Sequence, residues 1–193
     1  GRLHESQSNF PRAIEQYQQA VKLNPKNVAA CNRLGIVLDR LTRYREADEA
    51  FLKGIEAEPR GAHLHNNLAF SYMMQGRWGE AEASLKRAVE LSPGFVRARV
   101  NLGMVYAQQD RFDEALREFQ FALKPEDAHY NIGLMYQSKK RYVDAARAYK
   151  AALRTNPKMM AAEIRLTMLP KDAVEQAELP VVTPVAAAPA APA

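Results

Sequence analysis

Long apolar runs are missing from this chain: no stretch of about 18 consecutive apolar residues occurs, so no segment reads as a membrane-spanning helix. Cysteine is nearly absent too. The single Cys31 excludes an internal disulfide framework and any multi-cysteine zinc or iron–sulfur site. Nine glycines and eleven prolines in 193 residues are too few for a collagenous or wholly disordered chain. Neither sign of charge is in large excess, since 27 Lys and Arg against 22 Asp and Glu leave +5. A nucleic-acid binder gathers its basic residues on one face. Here the signs are mixed throughout, as in Arg43, Arg45, Glu46, Asp48 and Glu49, so no nucleic-acid partner is expected.

The marks of catalysis are also lacking. There is no glycine-rich phosphate loop, no Gly-x-Ser-x-Gly elbow and no His-Glu-x-x-His. His63 and His65, two apart, fall on different sides of a helix and cannot chelate together; His4, His129 and Cys31 lie elsewhere with no carboxylate pattern joining them. A chain without catalytic residues, metal or cofactor is expected. It opens at Gly1 with no charged-then-apolar leader and carries no readable address for a compartment.

What the sequence does have is a period. Pro25, Pro59 and Pro93 stand 34 residues apart, as do Gly35, Ala69 and Gly103, and the series Ala13, Ala47, Ala81 and Ala115. The phase then slips once: Gly103 to Gly133 and Ala115 to Ala145 are each 30. Because Ala88 to Ala122 is still 34, the four missing residues fall between Leu123 and Ile132, at a junction between units. Each unit reads as two helices. Cys31, Leu34, Leu38 and Leu41 form one apolar stripe, matched by Leu64, Leu68 and Tyr72. Ala81, Leu85, Ala88 and Val89 form the other, matched by Ala115, Phe119, Ala122 and Leu123 and by Ala145, Tyr149, Ala152 and Leu153. Small side chains let two antiparallel helices approach closely, and the bulky residue four positions on fills the space beyond. Pro25, Pro59, Pro93 and Pro157 close the second helices. Trp78, after Gly76-Arg77, reads as a structural aromatic in the turn between helices.

The recurring pattern of Leu102-Gly103, Tyr106, Ala115, Phe119 and Ala122 with a closing proline resembles the tetratricopeptide repeat over roughly residues 1 to 169. The resemblance implies an all-α chain: a right-handed superhelix of antiparallel helix pairs, about four and a half repeats, with a C-terminal capping helix and an extended Pro/Ala-rich tail. The boundaries expected are a partial first unit at 1–27, units at 28–61 and 62–95, a shortened one at 96–125, another at 126–159, a capping region at 160–178 and the tail at 179–193. Departures stand out. The first large position of the motif is Cys31, His65, Arg99 and His129, and Thr167-Met168-Leu169-Pro170 stops a fifth unit after one helix. The chain starts inside a first helix, from which more chain upstream or a partner on that face is expected.

In such an array the first helices line the concave side. The faces then expected in the groove are Ala29, Arg33, Ile36 and Arg40; His63, Asn67, Phe70 and Met74; Arg97, Asn101, Met104 and Gln108; and Asp127, Asn131, Leu134 and Ser138. Asn67, Asn101 and Asn131 recur in three successive units, although asparagine is a weak helix former. They read either as a ladder of amides for the backbone of an extended peptide, or as bonds to a neighbouring helix that belong to the repeat itself. Arg33, Arg40 and Arg97 make the first part of the groove basic and favour an acidic or neutral ligand. The family's carboxylate clamp is absent, because Asn32 with Ile36, Asn66 with Phe70, and Val100 with Met104 stand where its basic and amide residues would be. The candidate binding residues are therefore Arg33, Ile36, His63, Asn67, Phe70, Met74, Arg97, Asn101, Met104, Asn131 and Leu134.

Met73, Met74, Met159, Met160 and Met168 read mainly as core fillers. Beyond Glu178 the run Leu179-Pro180-Val181-Val182-Thr183-Pro184-Val185, followed by alanines broken by Pro189 and Pro192, reads as extended, and one candidate ligand for the groove is this tail, from the same chain or a neighbour. The resemblance implies a non-catalytic adaptor that presents its concave face to an extended peptide or a partner's helix. Two alternatives are the regulatory array of a larger enzyme of the glycosyltransferase kind and a self-associating scaffold in which the leading half unit meets the helix from Met160 to Leu169 of another copy.

Overall fold

The computed structural model describes residues 1–178, which form helices and no strand. In order they are α1 (Arg2–Ser6), α2 (Phe10–Leu23), α3 (Val28–Arg40), α4 (Tyr44–Ala57), α5 (Ala62–Met74), α6 (Trp78–Leu91), α7 (Val96–Gln108), α8 (Phe112–Ala122), α9 (Pro125–Ser138), α10 (Tyr142–Thr155), α11 (Met160–Thr167) and α12 (Lys171–Gln176). The tail residues read above as extended lie outside the described residues.

Helices pair as hairpins: α3 with α4, α5 with α6, α7 with α8 and α9 with α10. The alanine series sits at the crossing points, where Ala13, Ala47, Ala81, Ala115 and Ala145 are all fully buried. The hairpin turn recurs with the sequence period. Ser8, Thr42, Gly76, Asp110 and Lys140 all have positive φ, between 57° and 70°, at steps of 34, 34, 34 and 30. After α3 the Arg43 N–H donates to Leu38 O at 3.0 Å and the Thr42 N–H to Asp39 O at 2.9 Å; Arg77, Arg111 and Arg141 repeat the longer bond to Tyr72, Tyr106 and Tyr136. This is a left-handed residue just past the helix end, satisfying carbonyls that the helix cannot.

Prolines end α2, α4, α6 and α10 as expected, each one residue past the cap: Asn24, Glu58, Ser92 and Asn156 are the caps. At the slipped junction the roles reverse. The deletion is spread over the junction: α8 has 11 residues against 14 in α6, the loop after it has two residues against four, and α9 has 14 against 13 in α7, with Pro125 opening α9, where its lost N–H has no helical partner to forgo.

Two sequence expectations are corrected. Trp78 is the first residue of α6, partly buried against the core, not a turn residue. The methionines are only in part fillers: Met73 packs on the core, but Met74, Met160 and Met168 are 55%, 71% and 66% exposed, because they lie on helix faces that no following element covers.

Candidate functional site

Consecutive first helices touch one another, α3 with α5, α5 with α7 and α7 with α9, and no comparable contact joins consecutive second helices. Closer approach on one side bends the stack, so the first helices form the inner wall of a curved trough. On α5, Leu64, Leu68 and Tyr72 turn into the stack and are buried, whereas Phe70 and Met74 are 48% and 55% exposed on another face. Between α3 and α5 this leaves a cleft of about 260 Å³ lined by Ile36, Asp39, Arg40, Asn67, Phe70 and Met74, with Phe51 from α4 beneath.

Four of the residues nominated from the sequence therefore meet in one place: Ile36, Asn67, Phe70 and Met74. Arg33 and His63 line a neighbouring cleft beside Tyr17 and Asn32. Arg97, Asn101 and Met104 follow on α7, and Asn131 and Leu134 on α9. Met104 and Leu134 are partly buried against the core, which withdraws much of their surface from a ligand. Arg33 Nη1 lies 3.4 Å from Glu5 Oε1, while Arg40 and Arg97 have no ion-pair partner among the described residues. Uncompensated basic charge in this part of the wall comes from those two.

The amides do not stand free. Asn101 Nδ2 donates to Asn66 Oδ1 at 3.0 Å, Asn66 Nδ2 to Asn67 Oδ1 at 3.2 Å, and Asn67 Nδ2 to Asn32 Oδ1 at 2.8 Å. Four amides thus run in series across α3, α5 and α7, with Asn66 buried. Asn131 has Val100 where Asn67 has Asn32 and Asn101 has Asn66. Lacking an acceptor on the preceding first helix, its amide turns to Asp127 O of its own helix at 2.7 Å. Of the two readings open in the sequence, the bonds to neighbouring helices are the ones made by Asn67 and Asn101.

A second polar group joins α3, α4 and α5. Ser71 Oγ is 2.8 Å from Asp39 Oδ1 and 2.9 Å from Asp48 Oδ1. A hydroxyl carries one hydrogen and can donate to only one of two carboxylates. Asp48 is otherwise well supplied, by Arg77 Nη1 at 2.7 Å and Gln75 Nε2 at 3.1 Å. Asp39 has Ser71 alone, and its Oδ2 takes no hydrogen bond from the described residues. Burial lifts the Asp39 carboxyl to about 6; the Ser71 bond opposes the rise and the nearby Asp48 adds to it. The available signal is a break in pattern at Ser71, which stands where other units have Leu3, Val37, Val105 and Met135; the position of Asp39 is Glu5, Met73, Ala107 and Gln137 elsewhere, acidic only in the leading unit.

The odd residues at the first large position also find a reason. Cys31 Sγ, His65 Nε2 and Arg99 Nε approach the carbonyl oxygens of Pro25, Pro59 and Pro93 at 3.9, 3.1 and 2.7 Å. Each ties the start of a first helix to the proline loop before it. His129 has no such loop, since Pro125 is already helical; burial, and then Arg154, lower its imidazole pKa. Among the described residues no group of three or more His, Cys, Asp or Glu could hold a metal ion, and no helix is long and apolar enough to cross a membrane.

Family models of the tetratricopeptide repeat match residues 1–41, 32–94, 72–130 and 126–159. No curated protein matches the chain. Among solved structures it is similar to a MamA protein, at 26% identity over 88% of this chain and 94% of the other with a TM-score of 0.70. It is likewise similar to YrrB, a TPR protein with an unusual peptide-binding site, at 28% identity over 86% and 88% with a TM-score of 0.66. A thermophilic TPR protein from Thermus thermophilus, 21% identical over 90% and 96% with a TM-score of 0.59, shares the fold. With these repeat matches running in succession over the hairpins α1–α10 and superhelical neighbours of nearly full length, the chain belongs to the tetratricopeptide-repeat family.

Proposed function

We propose that the chain is an interaction scaffold whose concave wall binds an extended peptide, with the cleft between α3 and α5 as its main anchor point. The observation that carries this is the exposure of Phe70 and Met74 side by side over a formed cleft on the inner wall. Large apolar side chains clustered on a concave surface favour a partner that covers them. YrrB, similar in fold and size, is a TPR protein with a peptide-binding site, which supports the same use of the groove here. The candidate set shifts in emphasis. Asn67 and Asn101 hold the wall together and offer a ligand only what their mutual bonds leave, whereas Ile36, Phe70 and Met74 supply contact area.

The test is selection from a random decapeptide library with the intact chain, followed by binding measurements on the Phe70→Ala/Met74→Ala double variant. Both side chains are exposed, so the fold is expected to survive and affinity to fall at least about tenfold. Selected peptides that bind the double variant equally well would remove this reading.

A second reading rests on a different observation. Met160 and Ile164 on α11 and Met168 at its C-terminal cap make an exposed i, i+4, i+8 stripe, 71%, 50% and 66% exposed. Self-association through this stripe predicts a mass that rises with concentration and is monomeric in Met160→Gln/Ile164→Gln; a monomer at every concentration excludes it.

A further inference from the structure

Resting on the reading that the groove takes an extended segment, we infer that the α3–α5 cleft accepts one lysine or arginine side chain of that segment, its methylene stem against Ile36, Phe70 and Met74 and its cationic end on Asp39.

The chemistry of the cleft is unusual in one respect. Its walls are apolar, Ile36 from α3 and Phe70 and Met74 from α5, yet a carboxylate is set among them. A carboxylate in such surroundings needs either a proton or a cation. The neighbouring carboxylate has its cation, since Arg77 reaches Asp48 at 2.7 Å. Asp39 has none: its single hydrogen bond comes from a neutral hydroxyl that also faces Asp48, and Oδ2 is left without a donor among the described residues. The charged groups around it are Asp48 from α4, Arg77 at the N-terminal cap of α6, which is engaged with Asp48 and Glu80, and Arg40 beside it on α3.

A basic side chain fits both halves of this surface. Lysine and arginine bury an apolar stem while keeping the charged end on a polar partner. Phe70, half exposed at the edge of the same cleft, is an aromatic that a bound cation can contact. An apolar guest would fill the walls but leave Asp39 desolvated and unpaired, and an acidic guest would set like charges together. Arg40, at the same cleft and without an ion pair among the described residues, disfavours a second cation next to the first. The guest is therefore a single basic residue in a neutral or acidic stretch, not a polybasic tract.

The pairing of Asp39 with Ser71 is also specific to this place in the array. Asp39 with Ser71 corresponds to Glu5 with Val37, Met73 with Val105 and Ala107 with Met135 at the other junctions: the hydroxyl recurs at none of them, and the acid recurs only as Glu5, which Tyr17 and Arg33 engage, so the pair is not required by the repeat. A local departure from an otherwise consistent pattern marks a position kept for something other than packing.

The experiment uses the full chain and three fluorescent octapeptides of alanine and serine carrying one central lysine, norleucine or glutamate, with binding read by anisotropy at pH 7.5 and 5.0. The lysine peptide is expected to bind about tenfold tighter than the norleucine peptide at pH 7.5. That preference shrinks at pH 5.0, where a proton competes for Asp39, and disappears in Asp39→Asn. Phe70→Ala weakens the lysine and norleucine peptides alike. Equal binding of lysine and norleucine by the wild-type chain overturns the basic guest and leaves the groove reading standing, as does a preference for glutamate, which would assign the cleft to Arg40. A lysine preference that survives Asp39→Asn also overturns it. Failure of every peptide to bind removes the groove reading and this inference together.

Discussion

The ring of Phe51 lies so close over Gly35 that a Cβ built on the glycine would stand 2.6 Å from its Cε1 atom. The same relation holds for Gly103 under Phe119 and Gly133 under Tyr149, at 2.6 and 2.5 Å, and each pair is 16 residues apart in sequence. The equivalent pair in the second full unit is Ala69 with Leu85: where the partner is a branched aliphatic, one more carbon is admitted. Each hairpin thus balances volume across the crossing of its two helices. Gly103→Ala is expected to destabilise the chain by about 1–3 kcal/mol, despite alanine's better helix propensity, because a packed ring must move. Combining it with Phe119→Leu is expected to cost less than the two changes added, by about 1 kcal/mol in a double-mutant cycle from urea unfolding. Strict additivity would refute the pairing.

Much of this was legible from spacing alone. The alanine and glycine series placed the hairpins and the deletion, because a small residue at a helix crossing has a steric reason that recurs with every unit. The turns were not legible. Of Ser8, Thr42, Gly76, Asp110 and Lys140, only the glycine and the aspartate advertise a left-handed backbone, and tertiary context overrides preference at the rest. The amides were half legible: their recurrence was plain, but the partners Asn32 and Asn66 lie 35 residues before Asn67 and Asn101, one position off the period. The Asp39–Ser71–Asp48 group joins three helices across separations of 32 and 23 residues, which no local pattern reveals.

The turns give a stability prediction. A Cβ on Gly76 would meet nothing within 4 Å, so Gly76→Ala isolates the backbone cost of φ 70° and is expected to lose about 1 kcal/mol. Thr42, at φ 58°, carries a β-branched side chain in the same conformation. Thr42→Gly is expected to gain a similar amount, reduced by loss of the exposed bond from Oγ1 to Leu41 O. Thermal unfolding of both variants checks the pair, and a stabilised Gly76→Ala would show that the turn is not strained.

The amide series predicts unequal costs for substitutions at similar residues. Asn66 is buried and bonded on both sides, so Asn66→Ala leaves Asn67 and Asn101 each short of a partner and is expected to cost about 2 kcal/mol or more. Asn131 bonds only within its own helix, and Asn131→Ala is expected to change stability by less than about 0.5 kcal/mol. Equal losses in chemical denaturation would mean that the series is not a unit.

Asp39 links stability to binding through pH. Its carboxyl titrates near 6 in the folded chain against an ordinary value of 3.8, so the folded state holds the proton more tightly than the unfolded state does. The sign follows: this group costs nothing below about pH 4, its penalty grows as pH rises towards 6, and above 6 the penalty is complete. Asp39→Asn keeps the shape and an acceptor for Ser71 while removing the charge. The variant is expected to gain roughly 1–2 kcal/mol over the wild type at pH 7.5, after allowance for partial exposure, and to gain little at pH 4. Melting temperatures of the two proteins across this range give the difference directly, and a pH-independent difference would show that the carboxylate is not the source. A side chain that destabilises its own fold at neutral pH, at a position where later units carry methionine, alanine or glutamine and the leading one carries Glu5 beside Arg33, is stabilised when a cation enters the cleft. The lysine peptide is therefore expected to raise the melting temperature of the wild type more than that of Asp39→Asn at pH 7.5, and to raise both equally at pH 4.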